Sequence, residues 1–131
     1  MRVSFVGLCR SADVSDDLLN VSELTDGFTV RDLPADLGSE KFIVLLAMLF
    51  RGITHEFYVS VRIGDPKGNV GLVGTYPVSA TYGSFLLKVY LRDIPISNAG
   101  EHFVELCVAG EEVARIPFFI EKLNGAGEYF A

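Results

Sequence analysis

Phe42-Ile43-Val44-Leu45-Leu46-Ala47-Met48-Leu49-Phe50 decides the fold. A run of nine residues without a polar side chain is either a buried helix or a strand buried on both faces. Ser39 stands where a helix cap would, Gly52 where a helix would stop, and Leu, Ala and Met favour helix. Against helix, the run is apolar on every side and its neighbours read as strands. The reading is therefore a strand. Its second face cannot stay exposed, so another segment or a second subunit must cover it. The run falls well short of the ~20 residues that span a membrane as a helix, so no membrane span is expected.

The neighbours carry that decision. Phe57, Val59, Val61 and Ile63 fall on one face, with Tyr58, Ser60 and Arg62 on the other. Phe85, Leu87, Val89 and Leu91 repeat the pattern against Lys88, Tyr90 and Arg92. Val104, Leu106 and Val108 alternate with Phe103, Glu105 and Cys107; Ala114, Ile116, Phe118 and Ile120 alternate with Val113, Arg115, Pro117 and Phe119. Period two puts one face inward and one outward.

Turn residues separate these segments: Asp26-Gly27, Asp65-Pro66-Lys67-Gly68-Asn69, Gly83-Ser84, Ser97-Asn98-Ala99-Gly100 and Ala109-Gly110-Glu111-Glu112. The second and last join hairpins. Pro117 has no N–H, so its strand lies at an edge or is bulged there. Gly71 and Gly74 mark a bulge or bend. In the polar early region, Leu18, Leu19, Val21 and Leu24 form a short strand, Phe28 and Val30 another, and Ser15-Asp16-Asp17 a turn.

The expectation is one all-β domain over residues 1–123, a two-sheet antiparallel β-sandwich of immunoglobulin-like type with at most a short helix. Residues 124–131, rich in glycine, form a tail. A chain of 131 residues, half of them hydrophobic, buries enough surface to fold without a staple.

The order of pieces also carries a resemblance. It runs through the N-terminal strand ending at Cys9, Leu19-Asn20-Val21-Ser22, the apolar strand closing at Phe50-Arg51-Gly52, and Val61-Arg62-Ile63-Gly64-Asp65-Pro66-Lys67-Gly68. It closes with Ala99-Gly100-Glu101-His102-Phe103-Val104-Glu105-Leu106, Gly110-Glu111-Glu112 and Ile116-Pro117-Phe118. This order resembles a family of uncharacterised bacterial single-domain β-sandwich proteins. The resemblance implies the sandwich and a strand for the apolar run, and implies no activity. It departs from the commoner pattern at His102, where an aromatic is more usual.

Chemistry is sparse. A net charge of −6, with eleven basic residues and no two adjacent, argues against nucleic acid as a partner. His55 and His102 are the two histidines, and no zinc-ligand spacing accompanies them. His102 reads as a half-buried residue near a turn, and on a regular strand Cys107 lies on the face opposite it. Asp13, Asp16 and Asp17, then Asp32, Asp36 and Glu40, are acidic loops without calcium-loop spacing. No cofactor is expected. Two cysteines, Cys9 and Cys107, read as reduced thiols in a cytoplasmic protein.

Tyr58, Tyr76, Tyr82, Tyr90 and Phe119 are candidate partner-contacting residues, with cross-strand pairing within the sheet as the plainer role. The functional expectation is a non-enzymatic binding or assembly module, contacting a second copy or another protein. The alternatives are a carbohydrate- or lipid-binding sandwich, and a hydrolase whose site assembles only on folding.

Overall fold

The computed structural model describes residues 2–15, 18–37, 43–50, 56–79 and 84–123. Their elements are all strands: β1 (Arg2–Cys9), β2 (Ser11–Ser15), β3 (Leu18–Ser22), β4 (Gly27–Val30), β5 (Ala35–Leu37), β6 (Ile43–Phe50), β7 (Glu56–Gly64), β8 (Val70–Ser79), β9 (Ser84–Leu91), β10 (Ile94–Ile96), β11 (Gly100–Val108) and β12 (Glu111–Lys122). The fold is all-β. The apolar run is a strand over Ile43–Phe50, paired on both sides, which suits its β-branched and leucine-rich composition. No helix of the described residues is long and apolar enough to cross a membrane.

Two larger sheets dominate. One runs β1-β6-β9, and the other β4-β12-β11-β7-β8. Two-stranded pairs β2-β3 and β5-β10 complete the set. All pairings are antiparallel except β4, which runs parallel to β12.

The alternating faces supply one core from both large sheets. Leu8, Leu87, Val89 and Leu91 come from the three-stranded sheet; Val59, Val61, Val104, Leu106, Phe118 and Ile120 come from the five-stranded one. Each large side chain withdrawn from water contributes roughly 1.5–3 kcal/mol before the entropy of ordering is counted. Phe28 of β4 closes edge-on against Phe118, with centroids 6.0 Å apart.

Both expected hairpins form. Ala109 and Gly110 take φ of 52° and 82° between β11 and β12, the mirror-image two-residue turn that matches strand twist. Pro117 sits in β12 beyond the reach of β4, whose pairing begins at Phe119. The Phe119 N–H donates to the Asp26 carbonyl on that side (2.8 Å), so the donor Pro117 lacks points where no strand pairs. In β8 the register slips between Leu72 and Gly74, leaving Val73 as a bulge beside the glycine.

Several short strands escaped the sequence reading. Ser11–Ser15 pairs with β3, and Ala35–Leu37 pairs with Ile94–Ile96. Leu24 lies outside any strand and is exposed.

Candidate binding cleft

The β7–β8 hairpin is closed by one carboxylate. Asp65 Oδ1 accepts from the Lys67 and Asn69 backbone N–H groups, each at 2.9 Å, and Oδ2 accepts from Asn69 Nδ2 at 3.0 Å. The Asn69 side-chain and backbone bonds hold the Asp65 pKa below its ordinary value. Gly68, at φ 88°, completes the turn by donating to the Asp65 carbonyl.

Beside this turn a cleft of about 400 Å³ separates the start of β8 from β10. Among the described residues its walls are mainly apolar, with Ile63, Val73, Ile94 and Ile96 prominent; His102 of β11 also lines it. Val70 and Leu72 stand on its rim, 48 % and 65 % exposed. The volume falls in the range of small-ligand sites.

His102 is not the half-buried turn residue the sequence suggested. It is 2 % exposed and belongs to the inward face of β11 with Val104 and Leu106. The reason is strand periodicity: it lies two residues before Val104, and its ring stacks on Phe118 at 5.3 Å and 27°. Its Nδ1 lies 3.1 Å from the Gly100 carbonyl.

The outward face of β11 is internally paired. Cys107 Sγ donates to Glu105 Oε1 at 2.9 Å. Arg115 bonds Glu105 Oε2 at 3.0 Å, also pairs with Glu112, and lies 4.0 Å over the Phe103 ring. Phe103 in turn covers Gly64 so closely that a Cβ there would fall inside the ring. Burial, then the Glu105 hydrogen bond and charge, push the Cys107 thiol up to about 11. The same Cys107 bond, with the Arg115 charge, lowers Glu105. A protonated thiol of this kind is a poor nucleophile. Cys9 is also a buried thiol, and burial raises its pKa.

The expected contact residues do not converge. Tyr58 lies on the outward face of β7, and Phe119 on the outward face of β12 near the opposite end of the same sheet; both are exposed. Tyr90 is exposed on β9 of the other sheet, with Lys88 5.2 Å from its ring centroid. Tyr76 is not outward: it pairs with the fully buried Val59 and packs against the core. The bulge at Val73, in the stretch that Gly71 and Gly74 marked, shifts the alternation of β8 between Leu72 and Tyr76. Tyr82, His55 and residues 124–131 lie outside the described residues. Among the described residues, no group of three or more His, Cys, Asp or Glu could hold a metal ion. The cleft itself was missed, because its walls come from β7, β8, β10 and β11, distant in sequence.

No family model and no curated protein matches the chain. Among solved structures, it is similar to a segment of the β-glucosidase from Listeria innocua, crystallised with isofagomine. The likeness has a TM-score of 0.51 at 11 % identity, covering 88 % of this chain and 16 % of the enzyme. It is one of fold. The alkylpurine DNA glycosylase AlkC of Pseudomonas fluorescens, bound to DNA containing an abasic site analogue, gives 0.45 at 18 % identity, over 72 % of this chain and 27 % of that one. The chain thus spans less than a third of either neighbour.

Proposed function

We propose that the chain is a non-enzymatic binding or assembly module acting through protein–protein contacts, built as an immunoglobulin-like two-sheet β-sandwich. The orders β8-β7-β11-β12 and β1-β6-β9 parallel the two sheets of immunoglobulin domains, which supports the architecture. Two cysteines that form no disulfide with each other support a cytoplasmic setting.

One observation carries the functional reading. β8 is ten residues long, carries no charged side chain, and among the described strands pairs only with β7. Val70 and Leu72 are exposed on it. Edge strands are usually blunted by charge, Pro or a bulge, and the three residues ahead of the bulge, Val70, Gly71 and Leu72, carry no charge. The partner on this reading is a second copy of the chain. Light scattering should give a dimer or larger, and Leu72→Lys should return it to monomer with the fold unchanged. A strict monomer at high concentration sinks the proposal. The cleft favours a second reading, a small-ligand module.

A further inference from the structure

We infer that the cleft between β8 and β10 binds a small, largely apolar molecule carrying one hydrogen-bond donor, a hydroxyl or amide N–H, which His102 accepts. The inference does not rest on self-association, and a strictly monomeric protein would leave it standing.

The donor–acceptor sense follows from the ring's anchors. A carbonyl oxygen only accepts, so the Nδ1–Gly100 bond requires the proton on Nδ1. In the neutral ring Nε2 is then an acceptor. No bond of the described structure reaches Nε2, yet among the described residues no buried side-chain nitrogen is left without a partner. Nε2 is therefore open to solvent, and the space His102 lines is the cleft. An almost wholly buried imidazole thus presents one acceptor to a mainly apolar-walled cleft, where a ligand donor would take the place of water.

The ring is also held still. Phe118 stacks on it, and the Gly100 carbonyl is set by a backbone at φ 111° that only glycine adopts readily. A Cβ at Gly100 would press on Pro66 Cγ at 3.3 Å. The acceptor is pre-oriented, so its hydrogen bond carries a small ordering cost.

Three related aromatic probes of similar size test this. p-Cresol has a donor, 4-methylanisole has an oxygen that cannot donate, and toluene has neither. Titrations followed by the His102 ring resonances and the Val73 and Ile96 amides should show p-cresol binding about tenfold tighter than either analogue. His102→Phe, which keeps the stack on Phe118, should abolish that preference. Equal binding of all three to the unaltered protein removes the role of His102. No shift at those groups up to the solubility limit of p-cresol removes the site.

Discussion

β11 and β8 flank β7 on either side, yet one is enclosed and the other is open. β11 pairs with β7 and β12; among the described strands β8 pairs with β7 alone. On β11 the inward His102, Val104 and Leu106 are buried, and the outward Phe103, Glu105 and Cys107 find Gly64, Arg115 and one another. On β8 the bulge at Val73 breaks the ladder, and Val70 and Leu72 stand in solvent. Apolar β-forming residues are therefore enclosed on one flank and exposed on the other. What separates them is the number of neighbouring strands among those described.

That contrast can be broken at its strong side first. Leu106→Ala should cost about 3 kcal/mol in a denaturant melt, because a fully enclosed site collapses poorly around a lost side chain. A cost below that of a surface change would place β11 no deeper than β8. Gly64→Ala should cost roughly 1–3 kcal/mol by driving the Phe103 ring from beneath Arg115. Retained stability would mean that the ring moves freely. At the turn between β11 and β12, Ala109→Gly should raise stability by about 0.5–1 kcal/mol, since the left-handed conformation is strained for alanine.

The smallest effect concerns the turn that closes β8. The folded pKa of Asp65 is lowered, so its contribution is fully present above the ordinary carboxylate value of about 3.9 and is lost as pH falls through the depressed folded value. Asp65→Asn should flatten that part of the stability–pH curve. Identical curves for the two proteins would show that the turn holds without the charge.

Much of the scaffold was legible. Alternation at Phe57–Ile63 and Leu87–Leu91 marked the inward faces, and Asp-Pro-Lys-Gly-Asn and Ala-Gly marked both hairpins. These signals are local, and the structure obeys them. Ala35–Leu37 and Ile94–Ile96 escaped because three residues are too few to show a period. Gly71 and Gly74 marked the bulge in β8, but not the residue at which it falls, and that position is what turns Tyr76 toward the core. His102 was legible in part: its position in the alternation implied an inward face, but its polarity argued for the turn. The cleft was illegible, since it depends on which strands lie side by side.

The parallel pairing of β4 with β12 has a kinetic consequence. Gly27 meets Phe119, so one pairing joins segments more than two thirds of the chain apart in sequence. Loop-closure entropy must be met before that contact returns anything, and topologies of this kind fold in milliseconds to seconds rather than microseconds. During synthesis the N-terminal strands emerge first, and β4 must wait for the last strand of the sheet. Until β12 arrives, Phe28 has no Phe118 to close against, and an unpaired apolar strand is exposed to any other chain nearby. The step that completes this sheet is thus also the one that ends its greatest exposure to misassembly.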